Sequence, residues 1–491
     1  MMMTTNLRSL EEKSRIAIVG AGVFGLSTAY HLAINGFTDV TVFDRSPYSN
    51  ALYDQHRGCD AASADLNKIL RASYGNRAEY QRLAYAAREE WKRWNNELRM
   101  IRKEDLPDGL EGVGDLYTEC GFLRLSDSPI HPLSEKELAG LSNLEKQFPE
   151  YRLKNYIISD SSEEERARTD GWGHVLDSMN WSGTGVLDAT AGYVRADKAC
   201  VWLAKEAKQA GVQFIEGKLK GNVVNLKLVE SLESLSDSKI VEGVMTADGV
   251  FHPADLVIIA AGGWTPYLVP DTRKLLETTA GSIISIQLPP LQERPDLWDK
   301  YSGKNWPVIS QGHDAQVYSL PQIDGTIKIG YRGTKFTNYV SLPDNTRISV
   351  PVTAYTTPSQ THVPVQAIQE IKEFIRRHFP DLVTLGISYT RLCWYTDSID
   401  NDFLIDYVPG YHKTLFVASG GSGHGFKFAP VLGQHVLDSL REQETDLTKI
   451  WRWRDVPQGR RNGLEEGETG PRVLLKQTLA TEADWMSVMN V

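Results

Sequence analysis

Gly20, Gly22 and Gly25 are spaced G-x-G-x-x-G, and Asp44 follows the first of them by 24 residues. Glycines at such a turn let the backbone come close to a pyrophosphate. Free N–H groups at the start of the next helix face the same anion, and an acid at the end of the second strand accepts hydrogen bonds from ribose hydroxyls. The motif means little without that setting, and here the setting is complete: a β-branched run at 15–19, a glycine turn at 20–25, helical apolar spacing over 26–36 and a second strand at 40–44. The pattern predicts a dinucleotide site at the head of a doubly wound sheet, with Arg45 beside the acid among the cofactor contacts. Tight packing of helix on strand is the other use such glycines have.

The motif does not separate NAD from FAD, but two further segments do. ADLVIIAAGGW (254–264) reads as a buried parallel strand running into a glycine turn that contains Gly262. GGSGHGFK (420–427) places Gly423, His424, Gly425 and Lys427 in a glycine-rich loop just before a helix, where backbone donors face a phosphate or a flavin pyrimidine ring. A buried strand ending in glycine needs no ligand when taken alone. Three separated loops serving one cofactor favour FAD, and no proton-relay constellation of an NAD-dependent dehydrogenase accompanies the glycines.

Stepping along the chain, helical patterns occupy 76–100 and 196–210, a strand follows at 212–216, and 414–421 is another buried strand. Short strands alternate with Pro and Gly turns over 280–390, which predicts an antiparallel sheet in a second domain. Cofactor features thus recur at the beginning, middle and end. The expected division is 1–90, 181–270 and 386–445 for the cofactor domain, 91–180 and 271–385 for the substrate domain, and 446–491 for a wrapping tail with a local flexible stretch.

At 491 residues, the chain has the length of about two to four domains or one elaborate enzyme. Its 41% hydrophobic and 24% charged residues exclude wholesale disorder. A net charge of −10 disfavours nucleic acid and anionic membrane surfaces as partners. Cys59, Cys120, Cys200 and Cys393 form no CxxC pair, so neither a disulfide framework nor a structural zinc site is expected. The polar N-terminal segment, a first apolar run too short for a signal or a span, and the ending Met-Asn-Val in place of a peroxisomal address together predict a cytoplasmic protein.

GAGVFGLSTAYHLA, DLNKILRASYG (65–75), GYVRADKA (192–199), IKIGYR (327–332), CWYTDSIDNDFLID (393–406) and SGHGFKF (422–428), in this order, resemble the sarcosine oxidase family of flavin amine oxidases. DLNKILR, the aromatic helix ending WKRWN, and WRWR (451–454) resemble most its fungal branch of fructosyl-amine oxidases (amadoriases) and saccharopine or pipecolate oxidases. The likeness runs from about residue 15 to 455. It implies an α/β fold in which a glutathione-reductase-like FAD-binding domain with a doubly wound sheet is interleaved with a smaller α+β substrate domain.

The resemblance also implies roles. Cys393 carries FAD through an 8α-cysteinyl thioether, although a lone cysteine is most often a small buried hydrophobe. Lys328 sits beside the flavin and activates oxygen, its fixed cation stabilising charge as it develops; Arg71 and Lys427 clamp the substrate carboxylate. Lys68 replaces a basic residue near the flavin face, with a plain surface lysine as the alternative. Tyr318, Tyr395 and His424 fall at positions that shape the pocket, and each also suits an ordinary core role. One position departs: four residues after the oxygen-activating lysine, amadoriases have Glu and sarcosine oxidase has His, whereas this chain has Arg332. A cation there does not replace a carboxylate that engages a sugar amine, and it points to a further acidic group on the substrate or a different pocket.

The expected activity is oxidation of secondary amines, N-substituted or cyclic amino acids, to an imine with release of hydrogen peroxide, by a monomer acting on a small amine and oxygen. The alternatives are an oxidase whose imine closes a ring, a fructosyl amino acid oxidase, an NAD-dependent dehydrogenase, and a flavin-binding protein without turnover.

Overall fold

The computed structural model describes residues 10–57, 59, 61–126, 133–178, 183–230, 239–312, 316–353, 356–357, 362–456 and 469–485. Ile16–Val19, the first strand, is buried at all four positions. It pairs in parallel with Val40–Asp44 on one side and Leu256–Ile259 on the other. Gln213–Glu216 and Leu415–Ser419 extend the sheet in parallel, and Leu404–Tyr407 closes one edge antiparallel. The result is a six-stranded sheet built from the beginning, middle and end of the chain, and its near-continuous Val, Ile and Leu content is what burial of both sheet faces requires.

The helix after the first strand begins at Val23, three residues earlier than its apolar spacing indicated. Gly22 is extended at the cap, so Gly25 lies within the first helical turn. This helix packs against Ala429–Leu440 and Ala196–Gln209. Ser27 joins the first pair: its hydroxyl donates to the Ala429 carbonyl (2.7 Å) and accepts the Gly433 N–H (2.8 Å). A Cβ at Gly433 would lie 1.9 Å from the Ser27 oxygen, so only glycine allows helices to approach this closely there.

An eight-stranded sheet forms the second layer, in the order Tyr389–Ser398, Leu276–Gln287, Thr326–Phe336, Val317–Ser319, Val308–Gln311, Phe122–Leu125, Gly185–Asp188, Asn155–Ile157. It is mixed rather than purely antiparallel, because Val308–Gln311 runs parallel to Phe122–Leu125. Two of its strands are long, twelve and eleven residues. Gly281 and Gly330 read as turn signals in sequence, yet both lie within these strands. A Cβ at Gly330 would lie 2.3 Å from the Tyr318 ring, and one at Gly281 would lie 3.4 Å from the Tyr395 hydroxyl. Gly330 makes room for the Tyr318 ring, Gly281 leaves Tyr395 at ordinary contact distance, and neither breaks its strand.

Gly185–Asp188 and Tyr389–Ser398 fall in segments expected to belong with the cofactor sheet, but both are hydrogen-bonded into the eight-stranded one. Lys68–Leu70, Gly192–Val194 and Tyr117–Thr118 form a small antiparallel sheet of their own. Of the tail, Asp446–Trp451 is helical, and residues 469–485 bridge to Thr337 and Pro364. Residues 457–468 and 486–491 of the expected wrapping tail lie outside the described residues. Among the described residues, no helix is long and apolar enough to cross a membrane, and no His, Cys, Asp and Glu group could hold a metal.

Candidate active site

The glycine turn is shaped by close backbone approach. Gly20 has φ +110°, and a Cβ on it would lie 2.4 Å from the Ala260 carbonyl; a Cβ on Gly25 would lie 1.8 Å from the Gly20 oxygen. Any side chain at either position would force apart the first strand, the helix and the Leu256–Ile259 strand. Asp44 accepts the Ala21 N–H through Oδ2 and the Ser46 N–H through Oδ1, each at 2.8 Å. Burial pushes its carboxyl up to about 6 although these hydrogen bonds oppose the rise. Each oxygen retains a lone pair for a ribose hydroxyl. One cavity of about 610 Å³ is lined by Gly20, Gly22, Asp44, Arg45, Gly262, Gly423 and Gly425, so the three loops do converge. At Gly262 nothing lies within 4 Å of a Cβ position. This open cleft beside a helix N-terminus fits an FAD.

Lys68, Arg71, Tyr318, Lys328, Arg332, Cys393, Tyr395, His424 and Lys427 line the same cavity. Strand register explains much of this. Lys328, Gly330 and Arg332 alternate onto one sheet face, and Tyr318 stands opposite Gly330. Across the sheet, Ile283 pairs with Gly330 and with Arg391, and Gly281 pairs with Cys393. Cys393 and Tyr395 therefore share the face that bears Lys328.

Asp65, the first residue of the DLNKILR segment, organises this face. Its carboxylate is 1% exposed and accepts Lys328 Nζ at 2.7 Å and Lys68 Nζ at 2.5 Å. Burial raises the Asp65 carboxyl, but Lys328, Lys68 and Arg391 outweigh it and hold the group far below the usual carboxylate range. Burial lowers Lys328 to about 8 against the pull of Asp65. Lys328 also donates to the Asn67 carbonyl at 2.5 Å, and Lys68 Nζ lies 3.8 Å from Cys393 Sγ. Arg391 donates to the Ala64 carbonyl (2.6 Å) and to Gln55 (2.7 Å).

Lys427, 3% exposed, is fixed from two sides. Trp91 Nε1 donates to its carbonyl at 2.7 Å, and its Nζ donates to the Tyr74 hydroxyl at 2.8 Å. His424 Nε2 faces the Asn401 carbonyl at 2.9 Å, which only accepts, so that nitrogen carries the proton. Nδ1 then accepts from the Tyr74 hydroxyl (3.1 Å), and the chain Lys427 to Tyr74 to His424 has one consistent direction. Burial and neighbouring Lys427 hold His424 well below its ordinary value, in agreement with a neutral ring. Burial, then Arg71 and Arg332, drive Lys427 well below the usual lysine range. Arg71 donates to the Ser73 carbonyl and, at 3.1 Å, to the Ser73 hydroxyl, with its guanidinium 5.2 Å from the centre of the Tyr74 ring. Tyr74, like Asp65, had no signal in sequence, because its partners are distant in the chain.

Comparison with known proteins accords with this geometry. The chain is 30% identical to L-saccharopine oxidase of Schizosaccharomyces pombe over 449 residues, 90% of this chain and 93% of that protein. It is 23% identical to the N-methyl-L-tryptophan oxidase of Salmonella typhimurium over 434 residues, 87% and 94% of the two chains. The crystal structure of a fructosamine oxidase from Aspergillus fumigatus, amadoriase II, superposes with a TM-score of 0.68 at 28% identity, covering 90% of each chain. The matching family model spans residues 15–439, and the chain belongs to the FAD dependent oxidoreductase family.

Proposed function

We propose that this protein oxidises secondary amines that bear a carboxylate, with FAD held as a thioether on Cys393. The observation that carries the reading is the placing of Arg71 and Lys427, without carboxylate partners among the described residues, in one cavity with Cys393 and Lys328. FAD bound there would supply the two-electron oxidation of the amine's C–N bond and the return of those electrons to oxygen as hydrogen peroxide. The iminium left behind loses its N–H proton, and water hydrolyses the imine.

The residues of the chain bind, orient and stabilise. The Arg71 fork and the Lys427 point charge grip the substrate carboxylate, and an anion there restores the proton on Lys427 that burial disfavours. Trp91 and Tyr74 hold Lys427 in place. Lys328 presents a cation to oxygen at the moment it gains negative charge, and Asp65 keeps that cation charged and still. Cys393 would hold the flavin through its Sγ, with Lys68 Nζ 3.8 Å away. Tyr318 and Tyr395 wall the pocket. We retain the interleaved two-domain division, with Gly185–Asp188 and Tyr389–Ser398 assigned to the substrate side on the strength of their strand pairing.

Peroxide release across sarcosine, pipecolate, saccharopine, fructosyl-valine and N-methyl aromatic amines tests the reading. Turnover of carboxylate-bearing amines is expected. A yellow protein that turns over only amines without a carboxylate would overturn it.

A further inference from the structure

Two sets stand out among the cations in and beside this cavity. Lys328 and Lys68 share Asp65, Lys335 pairs with Asp397 at 2.9 Å, and Arg124 forks onto Glu137 at 2.8 Å. Asp397 also accepts from Thr279 at 2.6 Å, so it is already engaged twice. Arg71, Lys427 and Arg332 form the second set: among the described residues none of the three has a carboxylate within 4.0 Å. They also act on one another, since Arg71 and Arg332 both lower Lys427, and Arg332 lowers Arg71.

Arg332 is held in place for contact. It sits two residues beyond Gly330 on the face of Lys328, with Tyr318 packed over the glycine between them. Its guanidinium rests against the 420–427 loop, where a Cβ on Gly423 would lie 2.7 Å from Nη2. Gly423, at φ +71°, both makes the turn and leaves room for the guanidinium. Lys427 is buried, with Arg71 and Arg332 half-buried around the same space, and positive groups gathered in this way are costly unless anions join them. One substrate carboxylate balances one charge. The oxidised isoalloxazine ring carries no fixed charge, and a neutral sugar adds none.

We propose that Arg332 binds a second acidic group, so that the substrates are secondary amines with two carboxylates, one held by Arg71 and Lys427 and the other by Arg332. This rests on the amine oxidase reading and narrows it to dicarboxylates, with the second acid on either arm of the amine.

The test compares each acid with its isosteric amide in the holoenzyme. N-methyl-aspartate, N-methyl-glutamate and N-(2-carboxyethyl)-alanine are assayed for peroxide release against the corresponding amides. Thioether analogues with sulfur in place of the amine nitrogen are titrated by flavin absorbance to read binding without turnover. At least one acid is expected to bind about tenfold or more tighter than its amide, the size of one charge-assisted contact. Arg332→Gln should bring the two within about twofold of each other, and Arg332→Lys should keep part of the preference. Equal binding of acid and amide throughout the series in the unaltered protein overturns the proposal, whatever the fate of the variants. So does a preference that survives Arg332→Gln. If acids and amides bind alike and are oxidised, or if none of them binds while sarcosine, pipecolate or saccharopine releases peroxide, only the second-acid assignment fails; if those amines release none either, the oxidase reading fails with it.

Discussion

In the proposed reading Lys328 is charged when oxygen arrives, and Asp65 is the group that would keep it so. At 2.7 Å, with an effective dielectric constant near 20, the attraction between the two groups is about 6 kcal/mol. Against it stand burial and the like charge of Lys68, and the balance leaves Lys328 at about 8. Its other charged or titratable neighbours are Arg391, which also faces Asp65, together with Cys393 and Tyr318 on the same wall. Asp65→Asn keeps the shape but removes the anion. Stranding one partner of a buried pair costs about 3–5 kcal/mol, and an amine escapes that cost by releasing its proton, at 1.36 kcal/mol per pH unit. Lys328 should then be neutral at pH 7.5. In the unaltered protein, reoxidation of reduced flavin should hold steady at neutral pH and decline as pH rises through about 8, because the cation is the form being lost. In Asp65→Asn that decline should move to lower pH, and reoxidation at pH 7.5 should slow by on the order of 10²-fold. Lys328→Met should be slow at every pH. Stopped-flow mixing of anaerobically reduced enzyme with oxygen reads the oxidative half, and mixing oxidised enzyme with substrate reads the reductive half. Equal slowing of both halves, or an unmoved pH profile in Asp65→Asn, would refute the reasoning.

Acid precipitation should leave a yellow pellet, and Cys393→Ala should release the flavin to the supernatant; release from the unaltered protein would exclude the thioether. Arg71→Ala should weaken binding of a carboxylate ligand by about 2–4 kcal/mol, as for truncation of one partner of a buried charge pair, and titration by flavin absorbance measures it. Gly25→Ala should abolish FAD retention, since its Cβ would fall 1.8 Å from the Gly20 oxygen; a holoenzyme of normal flavin content in that variant would show that the turn can relax.

What was legible in the sequence was local. Gly20, Gly22, Gly25 and Asp44 fall within one βαβ unit, and their spacing together with the strand, helix and second strand around them points to the cofactor turn. Lys328, Arg71, Lys427 and Cys393 lie far apart in the chain and had meaning only through resemblance to a family; strand register is what brings Cys393 beside Gly281 and Arg332 onto the face of Lys328. Asp65 was hidden because its partner is 263 residues away, and Tyr74 because Lys427 is 353 residues away. The long Leu276–Gln287 and Thr326–Phe336 strands were obscured because glycine signals a turn as readily as it signals a ring packed on a sheet.

The sorting of cations into partnered and unpartnered sets has a physical logic. A lysine that must present a fixed charge to oxygen gains from its own carboxylate, because that anion keeps the proton on and the amine still, and oxygen brings no charge that would compete for it. A cation meant to hold an anionic substrate would lose from such a partner, because the substrate would then have to displace it. Arg71 and Lys427 are held instead by neutral contacts, the Ser73 carbonyl and hydroxyl and the Tyr74 hydroxyl, while Arg332 lies against Gly423 and feels Asp397 only at longer range. These contacts fix direction without cancelling charge, so an incoming anion meets positive groups that it does not have to free from a carboxylate. Glu277, taken up by Arg472 at 3.1 Å and Tyr339 at 2.7 Å, and Asp397, taken up by Lys335, show that acids near this wall are consistently committed to other partners. A pocket arranged in this way selects its substrate by charge before any contact with the rest of the molecule is made.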